Sequence, residues 1–253
     1  VDLTMAGAAC TPEAIAFMAT HGRGLICVTL EGEVLDRLQI PMMVRDNTSP
    51  FETAFCVSVE ARHGTTTGIS AQDRARTVQA LIDPASKSFD FVKPGHMFPL
   101  RARSGGVLTR TGQTEASVDL ARLAGLHPSG VICEIMKDDG TMARVPDLVG
   151  FCRQHGLLMV TVADLVAYRL RKEPLVKALD VESRETAWGA LKVHRFKSLL
   201  DNGTHLAFVL GDLAGAEPPL VRVHLETLPE DLLGFGPRCG TFQAAMDAIA
   251  KEG

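Results

Sequence analysis

Short apolar runs alternate with helix-period segments along the first two thirds of the chain, and the alternation stops near Pro174. The runs "GLICVTL" (24–30), "AFCVSVEA" (54–61), "GVICEIM" (130–136) and "LLMVTV" (157–162) read as strands. Between them the spacing predicts helices. One opens at Thr11-Pro12 and ends at Gly22, and one runs from a Ser70 cap to about Leu81. A third covers about Thr114 to Ala124, and two more lie in "VPDLVGFCRQHG" and "DLVAYRLRKE". "KPGHMFPL" (93–100) reads as a Pro/Gly turn carrying a histidine, and "RSGGVLTR" (103–110) as a turn and short strand. Strands interleaved with helices bury their apolar faces by layering, which predicts an α/β fold with a mixed sheet covered by helices. After the charged break at Lys172–Leu175 the pattern changes. "WGALKVHRFKSLLDNGTHLAFVLGDL" reads as strands joined by Asn-Gly and Gly-Asp turns, and "PLVRVHLE" as another strand. The expected organisation is a domain over 1–173 and a smaller, strand-rich α+β domain over 174–253.

Composition narrows the function classes. A hydrophobic content of 46% in 253 residues is enough for a core, and a net charge of −4 marks neither a nucleic-acid nor a membrane-surface binder. No apolar run reaches the roughly 18 residues of a spanning helix. Six scattered cysteines without a CxxC pair read as buried free thiols of a reducing, cytoplasmic compartment.

Four places look chemical. Glu134 is the only charge in "GVICEIM", and a buried carboxylate is costly unless paired or functional. It is either a core Glu paired with an Arg or an acid–base or metal-linked group. His96 follows a Pro-Gly turn in surroundings too apolar for a plain surface loop. "VLTRTGQTEAS" (107–117) sets Arg110, Gly112 and Thr hydroxyls before a helix start, where free N–H groups favour an anion such as phosphate. The plain alternative is that Thr114 caps the helix and Arg110 is solvated. "TTTGIS" (65–70) is a second, less specific site of this kind.

Taken in order, "HGRGLIC", "MMVRDNTSPFETAF", "TTTGISAQDRARTV", "KPGHMFPLRARSGGVLTR", "TEASVDLARLAG" and "GVICEIMKDDGTMAR" resemble 3,4-dihydroxy-2-butanone 4-phosphate synthase over residues 2–172. The resemblance implies a homodimeric lyase of riboflavin biosynthesis. Such an enzyme converts D-ribulose 5-phosphate to a four-carbon ketone phosphate and formate, with Mg²⁺ or Mn²⁺, at sites on the subunit interface. It implies that His96 and Glu134 are catalytic. It also implies that Asp2, Thr67, Arg110, Gly112, Thr114 and Glu134 contact substrate. Two departures stand out. The family's acidic loop lies just before Asp2, where this sequence has only Val1, in the place of the usual glycine. Gln113 occupies the position of a metal-ligating histidine; its amide oxygen is a neutral hard ligand. That change leaves open a same-fold enzyme for another phosphorylated sugar or nucleotide-derived substrate, or a non-catalytic pathway subunit.

Residues 174–253 resemble the beginning of GTP cyclohydrolase II through "WGALKVHRF", "HLAFVLGDL", "PLVRVHLETL" and "FQAAMDAIAKEG". That family's zinc takes three cysteines. Thr227 stands at the first position, and Cys239 is alone near the others. The expectation is no zinc, no cyclohydrolase activity and a structural His224.

Overall fold

The computed structural model describes every residue except Asn202, residues 215–217 and Gly253. The chain divides into two compact units, Val1–Glu173 and Pro174–Gly253. In chain order the first unit comprises β1 (Asp2–Ala6), α1 (Pro12–Phe17), β2 (Cys27–Glu31), α2 (Gly32–Arg37) and β3 (Val59–Ala61). It continues with α3 (Ala71–Ile82), β4 (Phe91–Ala102), α4 (Gln113–Leu123), β5 (Ser129–Glu134), α5 (Val145–His155) and α6 (Val162–Lys172).

The five strands form one sheet in the order β1-β5-β2-β4-β3. Only β2 and β4 are parallel, so the sheet is mixed. Strand side chains alternate between faces, and the two faces are covered differently. Leu3, Val28, Leu30, Val131 and Cys133 pack with Ile15 and Met18 and with Val78 and Leu81 of α3, forming the main core. On the opposite face lie Cys27, Leu100 and Ile132, and α4 lies on this face. Ser117 of α4 shares a 2.7 Å hydrogen bond with Thr29 of β2. Gly130 of β5 makes this approach possible, because a Cβ there would sit 2.6 Å from Ser117 Cβ. The fold is therefore three layers, helix–sheet–helix.

Helix starts follow their caps. The hydroxyls of Thr11, Ser70 and Thr161 accept the N–H groups of Ala14, Asp73 and Asp164. Four strand or turn expectations are corrected. Residues 93–100 lie within β4, not in a turn. Val59 pairs with Met97 whereas Glu60 pairs with Val92, so residues 93–96 leave the ladder as an excursion inside the strand. Gly106–Leu108 is a 3-10 turn, not a strand, entered through Gly105 and Gly106 at φ 88° and 62°. "LLMVTV" is not a strand. Gly156 in the left-handed region ends α5 and Thr161 caps α6, so the few residues between serve two helix ends. Leu158 there is fully exposed. Of "AFCVSVEA", only the last three residues form a strand; Phe55 and Cys56 make isolated bridges.

The second unit holds an antiparallel sheet β6-β7-β8 (Val176–Thr186, Gly189–Ser198, Thr204–Val209) and a helix α7 (Thr241–Glu252). The Trp188 indole N–H donates to Asp247 of α7 at 2.8 Å. "PLVRVHLE" (219–226) is not a strand; no ladder among the described residues takes it, and Val221, Val223 and Leu225 are exposed. The Asn-Gly turn falls partly on Asn202, outside the described residues. Among the described residues no helix is long and apolar enough to cross a membrane. All six cysteines are free thiols, and Cys10, Cys27, Cys56 and Cys133 are buried.

Candidate active site

Glu134 is the last residue of β5 and stands opposite Asp2 of β1. The pleat puts both side chains on the face that carries Ile132 and Cys27. Glu134 is half-buried, and its Oε2 accepts the Leu25 N–H at 2.9 Å. Gly24 allows this, since a Cβ there would sit 2.6 Å from both Glu134 Oε2 and its carbonyl oxygen. Arg23 turns away, donating to the Met136 carbonyl and pairing with Asp138 at 2.7 Å. Among the described residues no Lys, Arg or His pairs with Glu134, so it is not the core ion pair that its sequence setting also allowed.

Burial pushes the Asp2 carboxyl up; the Val1 amino group opposes this, and the charge of Glu134 adds to it. Cys27 lies one residue pair further along the same face. Its thiol is pushed up by burial and by the charges of Glu134 and Asp2. Two carboxylates and a thiol thus share one end of one face. Cys27 was hidden within an apolar run, and the sequence carried no signal that separated it from a core cysteine.

The helix α4 points its N-terminus toward this end. Its Ser117 lies on Thr29, and Arg122 further along pairs with Glu31, at the far end of β2, at 2.7 Å. Gly112 is the N-cap residue and no side chain caps the helix. Thr114 is therefore not the cap; it is buried in the first turn, while Gln113 is exposed. Arg110 is not simply solvated. Its guanidinium donates to Glu115 Oε2 at 2.7 Å and to the Phe51 carbonyl at 3.0 Å. Glu115 is fully buried and also accepts the Arg103 N–H at 3.0 Å. A Cβ at Gly112 would collide with Arg110 and lie 2.8 Å from Glu115 Oε2. Arg110 and Gly112 were legible from their spacing before the helix; that Glu115 is the carboxylate that aims the arginine was not.

His96 projects from the 93–96 excursion, about half exposed, and its Nδ1 meets the carboxylate of Glu60 on β3. Glu60 also touches the "TTTGIS" turn, where a Cβ on Gly68 would collide with it. That turn is fixed by Asp73, which accepts the N–H groups of Thr66 and Gly68 and the Thr66 hydroxyl. These bonds, led by the Thr66 hydroxyl, hold the Asp73 carboxyl below the usual range. Thr67 is exposed at the tip. His96 and Glu134 sit on strands separated by β2. A groove of about 570 Å³ lined by His63, Arg76 and Gln79 includes none of these residues.

The profile of the 3,4-dihydroxy-2-butanone 4-phosphate synthase family matches residues 1–168. The chain belongs to that family. The GTP cyclohydrolase II profile matches residues 178–253, so a synthase domain is followed by a cyclohydrolase II-like one. The riboflavin biosynthesis protein RibBA of Aquifex aeolicus is 54% identical over this whole chain, which covers 63% of that protein. A 3,4-dihydroxy-2-butanone 4-phosphate synthase of Pseudomonas syringae pv. tomato is 49% identical, again over the whole chain, which covers 69% of it. Among solved structures, the two-domain synthase RibBX from A. baumannii superposes with a TM-score of 0.83 at 43% identity. That match covers 98% of this chain and 71% of the other. A synthase solved with two magnesium ions matches at TM-score 0.64 and 43% identity, over 68% of this chain and 85% of its own. The chain spans about three fifths of the Aquifex relative's length.

The donor set suits such an ion in kind. Glu134, Asp2 and the Gln113 amide offer hard oxygen ligands, and Mg²⁺ commonly takes one or two carboxylates together with water and substrate oxygens. Among the described residues no cluster of three His, Cys, Asp or Glu side chains forms a complete cage.

Proposed function

We propose that the first unit is a cytoplasmic lyase. It converts D-ribulose 5-phosphate to 3,4-dihydroxy-2-butanone 4-phosphate and formate, and it works as a homodimer. The observation that carries this reading is the gathering of Glu134, Asp2 and the N-terminus of α4 at one end of one sheet face. The substrate phosphate lies at that helix start. There the free N–H groups, the Thr114 hydroxyl and the Arg110 guanidinium supply positive potential and donors. Glu134 keeps Oε2 on the Leu25 N–H, and its other oxygen takes the proton next to the sugar carbonyl. Asp2, pushed up by burial, accepts from or donates to the sugar hydroxyls beside it. His96 and Thr67 serve a second edge of the substrate. Asp2 and the Gln113 amide would offer oxygen ligands to a divalent cation, which would supply charge stabilisation beside the sugar carbonyl.

Full-length protein with ribulose 5-phosphate and Mg²⁺ is expected to release formate stoichiometrically with the four-carbon product. Turnover of a different sugar phosphate with no formate would replace this reading.

The second unit is a cyclohydrolase II-like domain without its activity. Thr227 offers a hydroxyl where a thiolate is needed; that hydroxyl donates to Glu230, and the Thr227 N–H donates to Asp231. His224 is held by Asp231 at 3.0 Å, in keeping with a structural role. Elemental analysis is expected to find no stoichiometric zinc, and incubation with GTP no formate. One tightly held zinc per chain would overturn this.

A further inference from the structure

We propose that Glu60 is a positioning residue for His96: it fixes the imidazole in the tautomer protonated at Nδ1, so that Nε2 faces substrate as the proton acceptor. This deepens the reading of His96 as a catalytic residue at the second edge of the substrate, gives it an acid–base role there, and rests on that reading.

The geometry decides the tautomer. The Glu60 side chain is largely buried, at 14% exposure, whereas His96 is 46% exposed, so the carboxylate lies beneath the ring. Among the described residues no Lys or Arg pairs with Glu60; its polar partner is His96 Nδ1. A largely buried carboxylate needs a donor, and the imidazole supplies one only if Nδ1 carries the proton. With the proton on Nε2 instead, two lone pairs would face each other.

Both partners are held by backbone. The ladder is irregular between Val59 and Glu60, a kind of bulge that re-aims a side chain. Gly95 passes so close to the Val59–Glu60 backbone that any Cβ would collide, and its N–H donates to Ser58 Oγ at 3.2 Å. From the other side the Gly68 turn, pinned by Asp73, packs on the Glu60 carboxylate. During turnover a proton from a sugar hydroxyl, distinct from the one that Glu134 takes, leaves for Nε2 and later returns from Nε2. The Nδ1–H bond stays in place, and Glu60 balances the transient imidazolium.

The test uses the full chain labelled with ¹⁵N-histidine, His96 being assigned by the signal lost in His96→Asn. The wild-type ring is expected to show a protonated Nδ1, and Glu60→Ala a shift to the Nε2-protonated tautomer. With ribulose 5-phosphate and Mg²⁺, kcat of Glu60→Ala should fall roughly 100-fold, the low end for one positioned acid–base group, at nearly constant KM. Glu60→Gln keeps the volume without the charge and covers the case in which the alanine variant does not fold; its kcat should fall at least about tenfold. An unprotonated Nδ1 in the wild type, or wild-type kcat in either folded variant, overturns the proposal. If the wild type releases no formate, the reading of the reaction fails, and the ring-nitrogen measurement still decides the pairing.

Discussion

Glu134 shows what one residue needs in order to be both placed and available. Its strand position fixes the backbone, the Leu25 N–H fixes one oxygen, and among the described residues no cation pairs with the other. Glu134→Gln retains an acceptor for Leu25 and removes the proposed proton acceptor. The variant should lose about 10²–10⁴-fold in turnover. Its melting temperature should stay within about 2 °C of the parent, as for a change that breaks no buried partner. Formate release and a thermal melt check both, and full activity would reduce Glu134 to a packing residue. Glu134 was legible because it is a lone charge in an apolar run. Glu60 was not, because in "AFCVSVEA" it falls on the polar side of an alternation, where a glutamate raises no question. Its meaning arises only when the 93–96 excursion brings His96 over it, a pairing across 36 positions. Glu115 was hidden in the same way, as one more polar residue in the first turn of a helix.

At the scale of elements, local signals were readable and long-range ones were not. Thr11-Pro12 and Ser70 announced helices because a cap acts within three residues. Residues 157–160 and 219–226 carry strand-like composition without a strand. A strand is completed by a neighbour's edge, and sequence does not name the neighbour. The placing of α4 is likewise long-range. Its Asp119 is buried and accepts Arg169 of α6 at 2.7 Å, Arg122 at 2.7 Å and the Val107 N–H at 2.8 Å. Arg169 in turn pairs with Glu173, and these bonds hold its guanidinium above its ordinary pKa. One carboxylate thus ties α4, α6 and the 105–108 turn together, directly behind Arg110. Asp119→Ala strands the Arg169 charge and the Val107 N–H. The loss should be about 3 kcal/mol, the low end for breaking a buried pair, because Glu173 still holds Arg169. Urea denaturation measures it; a change below about 1 kcal/mol would show that the network is dispensable. If α4 also loses its footing, affinity for inorganic phosphate should weaken in parallel.

Over the whole molecule the two units differ in how they are built. The first has a contiguous core of more than twenty buried residues that includes Ile15, Leu30, Val59, Leu81 and Met97. In the second, the buried large apolar residues are Leu191 and Met246 among those described. Its sheet leaves Val176, Leu179, Val181, Leu206 and Phe208 exposed, and the segment after it adds Leu220, Val221, Val223 and Leu225. Stability scales with apolar area removed from water, at roughly 25 cal/mol per Å². An 80-residue unit is already near the size at which a single core barely offsets chain entropy. Trp188 on Asp247 ties the sheet side to the helix, and Arg195 on Asp180 and Glu182 joins β7 to β6, both at the surface, where such pairs contribute little. The two units should therefore behave differently when separated. Residues 1–173 expressed alone should melt in one cooperative transition and keep formate release with ribulose 5-phosphate and Mg²⁺. Residues 174–253 alone should show a weak, broad transition by calorimetry and bind a dye that reports exposed apolar surface. A sharp, independent melt of 174–253 would mean that its exposed leucines and valines close on one another in isolation. Loss of formate release from a folded 1–173 would instead give the second unit a part in the reaction.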